Sequence, residues 1–278
     1  MPEIPEVRAH AERLSAELAG RELARFTALT FTVLKTFDPR PDASVGQPLT
    51  EVTSYAKYLL LRFGAITHVV HLMQGGRLKP DPKQSKKPRG GLARWTFTDG
   101  TALLLTEPGT ERRAGVWVVD GGPTAQAPIS ELGPLATDLS AAALGELMSE
   151  HSMRLHGFIR SQRVIAGLGR RLANEICHQA KISPFATSSR LSANEVERVH
   201  SAIHTKIDEG LAYDRGRDDM SKSAERPSSV HGRIGEPCPV CNDKIRSVEY
   251  RKYTVIYCPT CQTNGRRLAD NTTSKFLK

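Results

Sequence analysis

No stretch of this sequence approaches the roughly 18 consecutive apolar residues that a membrane-spanning helix requires. The first thirty residues also lack the apolar centre of a secretory signal, so a cytoplasmic protein with no membrane partner is expected. Cysteine is sparse: five in 278 residues do not resemble a disulfide-rich secreted scaffold. No internal repeat is present. Acid is the minority charge, with 30 Asp and Glu against 39 Lys and Arg and a formal net charge of +9. That balance favours polyanionic partners such as nucleic acid, and it equally serves ordinary solubility. What is there is a chain with 39% hydrophobic residues, long enough for one large or two medium domains with their own cores.

The apolar pattern changes along the chain. From Glu3 to Leu18, Val7, Ala11, Leu14 and Leu18 recur at helical spacing, with Pro5 suited to a first turn and Gly20 to a C-terminal stop. Glu3 and Glu6 stand where carboxylates favour the positive end of the helix dipole. Short β-type runs follow (RFTALTF, YAKYLLLRFG, ITHVVHLM, LARWTFTDGTALLLTE, AGVWVVDGG), separated by Gly, Pro and Asp-Gly turn signals. They predict an antiparallel sandwich packed with one helix, ending at the linker-like DGGPTAQAP near residue 128. Downstream the period is helical: LSAAALGELMSE, then MRLHGFIRSQRVIAGLGRRLANEICHQAK, where GLG predicts two helices joined by a tight turn. A further helix starts at Ser192, with a capping box to Glu195 and with Val196, Val199, Ile203 and Ile207 on one face. From Tyr213 to Pro237 charged and small residues predict a long mobile loop.

Four of the five cysteines form two C-x-x-C knuckles, Cys238 with Cys241 and Cys258 with Cys261, separated by 16 residues of alternating β-type sequence. Four thiolates at this spacing come within tetrahedral reach of one zinc ion, and two pairs flanking one short hairpin fit a closed structural site better than redox exchange. Lys244, Arg246, Arg251, Lys252, Arg266 and Arg267 give this module a basic character suited to phosphate contacts or to a merely solvated face. Cys177, on a separate helix, is expected to be a buried apolar residue.

PEIPEV at the start, AKYLLL after it, AGLGRRLANE on the glycine-turn helix pair and HGRIGEPCPVC…YCPTCQ at the end together resemble the formamidopyrimidine-DNA glycosylase and endonuclease VIII family, in order and across nearly the whole chain. The resemblance implies an α+β fold: an N-terminal antiparallel β-sandwich with a leading helix (residues 1–128), a helix–two-turn–helix domain (129–232) and a four-cysteine zinc finger (233–278). It implies one structural zinc ion, monomeric action on double-stranded DNA containing damaged bases or abasic sites, and binding in a cleft between the domains. Once the initiator methionine is trimmed, Pro2 would be a secondary amine that attacks the sugar C1′, displaces the base and leads through an iminium to strand cleavage by β- and often δ-elimination. Carried over by motif, Pro2 is the nucleophile, Glu3 the acid/base on the deoxyribose, and Lys57 a phosphate contact at the active-site rim. Glu6 and Glu175 match acidic residues near the active site, and Glu175 could equally anchor its own helix. HLMQGGRL matches the wedge loop that fills the gap left by an extruded nucleotide, with Met73 or Gln74 as the plug.

Several positions depart from the family pattern. Arg112 fits the family arginine of GTERRAGVW, but Ala114 stands where an intercalating aromatic is expected and cannot stack against a base. Arg170 replaces a phosphate-binding asparagine, and its guanidinium can still clamp phosphate. His156 replaces a phosphate-contacting lysine, and Tyr253 stands at the arginine position five residues before the third cysteine, with Arg251 a candidate to compensate. The leading expectation is therefore a divergent bifunctional DNA glycosylase and abasic-site lyase. The alternative is a catalytically silent damaged-DNA binder of the same fold, and a zinc-ribbon adaptor would leave the N-terminal motif unexplained.

Overall fold

The computed structural model describes residues 2–110, 112–219, 225–250 and 253–268. These residues form two compact units, one of residues 1–131 with 214–221 and one of residues 132–213 with 222–278.

The first unit opens with α1 (Ile4–Leu18), whose apolar stripe Val7, Ala11, Leu14 and Leu18 is buried as its spacing predicts. Two four-stranded antiparallel sheets follow. One has the order β1 (Leu23–Ala28), β6 (Gly91–Phe97), β7 (Ala102–Thr106), β5 (Arg77–Pro80); the other runs β2 (Leu49–Tyr55), β3 (Tyr58–Phe63), β4 (Ile66–His71), β8 (Gly115–Asp120). Phe26, Trp95 and Leu105 of one sheet share a single core with Leu59, Val70 and Val118 of the other and with Leu14 of the helix, which makes the pair a sandwich.

Strands β2 and β5 are absent from the sequence-based expectation, and both lie at sheet edges. An edge strand keeps one side open, so LTEVTSY keeps polar residues without a strict alternation, and Pro80 is tolerated because one flank of β5 needs no ladder partner. The open flank of β2 is instead met by α1, where the Ser15 hydroxyl accepts from the Val52 N–H at 3.0 Å.

The second unit contains α2 (Ala141–Glu150), α3 (Leu155–Arg160), α4 (Arg170–Gln179) and α5 (Ala193–Arg215), then a hairpin of β9 (Arg246–Tyr250) and β10 (Tyr253–Tyr257) and the short α6 (Pro259–Thr263). The turn between α3 and α4 needs Gly167 at φ +100°, a conformation that a side chain would strain. Gln162 staples this turn: its amide donates to the carbonyls of Arg160 and Leu168 at 2.9 and 2.7 Å and accepts from the Gly167 N–H at 3.1 Å. At the head of α5 the expected capping box is present, with the Ser192 N–H on Glu195 Oε2 at 2.9 Å and the Glu195 N–H on the Ser192 hydroxyl at 3.4 Å. Its face of Val196, Val199, Ile203 and Ile207 is buried.

The expectation of a mobile loop from Tyr213 to Pro237 is corrected at both ends. Helix α5 continues through Arg215. After residue 225 the chain is pinned by the buried Glu175 carboxylate, which accepts from the N–H groups of Ser229, Val230 and His231 at 2.8–2.9 Å. A composition of small and charged residues says nothing about a carboxylate arriving from another helix. Among the described residues no helix is long and apolar enough to cross a membrane.

Candidate functional site

At the N-terminus Pro2 is buried, and Glu3, the N-cap residue of α1, is 2% exposed. The Glu3 N–H donates to Glu6 Oε2 at 3.0 Å, so Glu6 caps the helix and holds the chain entry. Lys57 occupies the two-residue turn between the paired Tyr55 and Tyr58, next to Ala56 at φ +51°, and is itself buried. An alanine in the left-handed region costs about 1 kcal/mol and persists where its surroundings over-determine it. The Lys57 charge reaches His71, which burial, then Lys57, push down to about 4. His71 is therefore neutral, and its Nδ1 accepts from the Met73 N–H at 3.2 Å.

The candidate wedge is the turn closed by the Gly76 N–H on the Leu72 carbonyl at 2.8 Å. A Cβ on Gly76 would stand 2.2 Å from that carbonyl oxygen, so only glycine closes it. Met73 packs against the sandwich core, whereas Gln74 is exposed at the tip. Of the two candidates, Gln74 is the exposed one.

Arg112 is exposed, and Ala114 lies in the core at 1% exposure. The buried Glu107 carboxylate, which sequence reasoning passes over, accepts from the Arg113 and Ala114 N–H groups at 2.7 Å each and fixes this loop. Position 114 thus points into the protein, which explains a small residue there.

In the second unit Arg170 is the exposed first residue of α4, while His156 on α3 is buried. Tyr253 is 42% exposed and carries the Arg160 guanidinium 3.7 Å above its ring. Neither Arg160 nor the fully buried Asn174 is evident from the sequence as a site residue. Asn174 joins three segments: its Oδ1 accepts from the Ile256 N–H at 3.1 Å, and its amide group meets His231 Nδ1 at 2.8 Å and hydrogen-bonds to His156. Burial first, then Arg160, push His156 down to about 3. Arg251, the proposed compensating residue, lies outside the described residues.

The four cysteine Sγ atoms lie within 4.8 Å of one another, with Cys238 to Cys261 at 3.9 Å and Cys241 to Cys258 at 3.3 Å. A tetrahedron of sulfurs around an ion with bonds of ~2.3 Å has edges of about 3.8 Å, so the cluster fits one thiophilic divalent ion. His178, also missed by sequence reasoning, faces it with Nε2 3.3 Å from Cys238 Sγ. Burial pushes His178 down, which suits a neutral ring donating to a metal-bound thiolate. Cys177 is fully buried and apart from this cluster, and burial raises its thiol far above the usual range.

Two family models match the chain: the formamidopyrimidine-DNA glycosylase N-terminal domain over residues 1–117 and the corresponding H2TH domain over residues 132–221. A formamidopyrimidine-DNA glycosylase of Thiobacillus denitrificans is 30% identical over 272 residues, spanning 94% of this chain and all of that one. An uncharacterized formamidopyrimidine-DNA glycosylase-like protein of Mycobacterium tuberculosis is 40% identical over 149 residues, 53% of this chain and 94% of that protein. Among solved structures, the Lactococcus lactis formamidopyrimidine-DNA glycosylase bound non-covalently to DNA with an abasic site superposes with a TM-score of 0.83 over 94% of this chain and 100% of that one, at 18% identity. The sandwich, the helix–turn–helix pair, the four-sulfur cluster and these matches agree: the chain belongs to the formamidopyrimidine-DNA glycosylase family.

Proposed function

We propose that the chain is a DNA glycosylase and abasic-site lyase acting on double-stranded DNA, with the Pro2 amine as nucleophile. The observation that carries this is the start of the chain: a proline at position 2 sits directly before a buried N-cap glutamate, in a family of DNA glycosylases. A terminal amine with an ordinary pKa near 8 is neutral often enough at pH 7 to attack. Its lone pair forms the bond to C1′ as the bond to the base breaks and the base leaves with a proton; loss of the amine proton, and opening of the C1′–O4′ bond with a proton delivered to O4′, give an iminium that has no N–H. The iminium is permanently charged and acidifies the C2′ proton; removal of that proton expels the 3′ phosphate. In this reading Glu3 moves protons on the deoxyribose and Lys57 holds a neighbouring phosphate.

Extruding the nucleotide costs a few kcal/mol of stacking, and Gln74 is the side chain available to fill the gap. The cysteine cluster holds zinc as a structural ion, through Cys238, Cys241, Cys258 and Cys261. Residues 1–128, 129–232 and 233–278 act as the chemical, helical gripping and finger segments. Arg112, Arg170 and the region around His156 and Tyr253 hold the strand.

Sodium borohydride reduction of the protein mixed with abasic-site duplex should trap a covalent adduct. The adduct should disappear when the terminus is blocked by acetylation or a retained methionine. Equal trapping after blocking ends the assignment of Pro2. The second reading, a silent damage binder, is favoured by the inward-facing Ala114, which leaves that loop without a stacking group. It predicts tight abasic-duplex binding with no adduct.

A further inference from the structure

Two phenylalanines of the sandwich unit stand almost wholly in solvent, Phe31 at 95% and Phe37 at 93% exposure. No other large apolar side chain among the described residues exceeds 61%. The backbone between them is nevertheless fixed to the sandwich. Val33 is buried in the core and Leu34 packs against it. Leu29 and Thr30 donate their N–H groups to the Leu92 carbonyl at 2.8 and 3.2 Å, and Lys35 donates its N–H to the Val116 carbonyl at 2.9 Å. The Thr36 hydroxyl accepts from the Val118 N–H at 2.8 Å. The segment therefore holds both rings outward from a tied edge, no more than about 21 Å apart along the chain.

Charge and position indicate what such rings meet. From Leu23 to Phe37 there is no acidic residue, while Arg25 and Lys35 are there and Arg40 follows Asp38. The stem of the exposed Lys35 crosses Gly115, where a Cβ would stand 2.4 Å from Cε, and its ammonium donates to the Thr32 carbonyl at 2.6 Å. Leu34 pairs in parallel with Val116 of β8, so Phe31 lies toward the start of that strand, the end at which the exposed Arg112 enters. Gly115 pairs with His71 there, which brings the turn carrying Gln74 to the same end. An aromatic face takes a flat apolar partner and a neighbouring cation takes an anion; nucleobases on a phosphate chain supply both. In a duplex the base faces are stacked on one another. An unpaired strand exposes them.

We infer that Phe31 and Phe37 form a single-strand site, each ring stacking on a base of unpaired DNA, with Lys35 and Arg112 drawing the phosphates. The site goes beyond the glycosylase and lyase reading, since it needs no chemistry at Pro2, and it directs the protein to lesions in partly unpaired DNA such as bubbles and gaps.

The full-length, metal-loaded protein is titrated by fluorescence anisotropy against labelled oligothymidylate and against an undamaged, fully paired duplex. Phe31→Ala and Phe37→Ala should each lower single-strand affinity about tenfold relative to paired duplex, and the double variant more. Phe31→Leu and Phe37→Leu should lose as much as the alanine variants, because leucine is apolar but has no ring to stack, whereas Phe31→Trp and Phe37→Trp should retain affinity. A fluorescent aminopurine base in the single strand reports stacking directly: the parent should quench it and the double alanine variant should not. Rings this exposed leave the core untouched, so the thermal midpoint of the sandwich unit should not move and a loss of binding is not a folding defect.

Single-strand affinity within about twofold of the parent in both alanine variants overturns the inference. So does full affinity in the leucine variants, which would mark a general apolar contact. A parent that sediments as a dimer and turns monomeric in the alanine variants, at unchanged single-strand affinity, overturns it in favour of a contact between copies. Borohydride trapping on abasic duplex is scored separately: a trapped parent without ring-dependent single-strand binding sinks this inference alone, and an untrapped parent with it sinks the lyase proposal alone.

Discussion

The two units of the chain treat their polar groups differently. In the sandwich unit the residues proposed for chemistry, Pro2, Glu3 and Lys57, are all buried. In the helical and finger unit Arg170 and Tyr253, which the resemblance assigns to DNA-gripping positions of other residue types, stand exposed, and the Arg160 guanidinium stacks on Tyr253. Bond-making tolerates little displacement, since reacting atoms must meet at about 3–3.5 Å. A phosphate asks only for positive charge and N–H donors within reach, and a long side chain on a neighbouring element supplies these equally well.

The largest effect that would sharpen this contrast comes from metal removal. A strong chelator should melt the β9–β10 hairpin and collapse duplex affinity, because a site held by four thiolates folds with its ion. The sandwich unit contains no cysteine and should keep its own thermal transition. Loss of both transitions together in calorimetry would erase the distinction.

Next in size is a single atom exchange inside the sandwich. Arg94 and Asp81 form an almost fully buried ion pair at 2.7 Å, and Asp81 also accepts from the Gln84 N–H. Asp81→Asn leaves a buried guanidinium uncompensated and should cost about 3–5 kcal/mol in urea unfolding. The corresponding exchange in the other unit is smaller. Glu175→Gln keeps one acceptor oxygen and turns an amide donor toward a buried N–H of the Ser229–His231 segment, for about 1–3 kcal/mol. If Glu175 acted on substrate instead of anchoring this segment, trapping would fall with stability unchanged.

How much of this was legible in advance follows the same physics. Periodicity identified α1, strands β1, β3, β4, β6, β7 and β8, the capping box at Ser192 and the cysteine knuckles, because each is written in residues close together in sequence. Strands β2 and β5 escaped, although β1 and β8 also lie at sheet edges, because LTEVTSY and RLKP carry few apolar residues. Glu107, Gln162, Asn174 and Glu175 satisfy backbone groups or ring nitrogens through the fold, and a polar letter in a sequence does not disclose which N–H it will meet. Ala114 appeared to be a missing stacking group until its burial showed that the side chain faces the core. Arg160 was invisible for a related reason: its stacking partner is 93 residues away across the α3–β10 contact.

The smallest effect concerns acid. His68 is fully buried between two sheets, its Nδ1 accepting from Trp95 Nε1–H at 2.8 Å and its Nε2 paired with the Ser44 hydroxyl at 3.0 Å. Ser44 gives its own proton to the Pro41 carbonyl at 2.6 Å, so it accepts from His68 Nε2–H, and the ring is neutral and fully bonded. Protonation would set an N–H against the Trp95 N–H, and burial pushes His68 down to about 3. The folded value lies below the unfolded one near 6.5, so the unfolded chain binds the proton more readily. The stabilisation is complete above about pH 6.5 and is lost as pH falls, by about 1 kcal/mol at pH 5.5 for this ring. Carboxylates of ordinary pKa near 4 barely titrate in that window, whereas His10 and His71, which burial also pushes down to about 4, add to the loss in the same direction, so the His68 share is the part of the pH dependence that His68→Asn removes. The chain has two tryptophans, Trp95 and Trp117, both in the sandwich unit, so fluorescence-detected unfolding at pH 7.5 and 5.5 reports on that unit alone. A midpoint unchanged between the two pH values would mean that the buried rings of this unit titrate alike in the folded and unfolded chain, and that the Trp95 and Ser44 bonds do not hold His68 neutral.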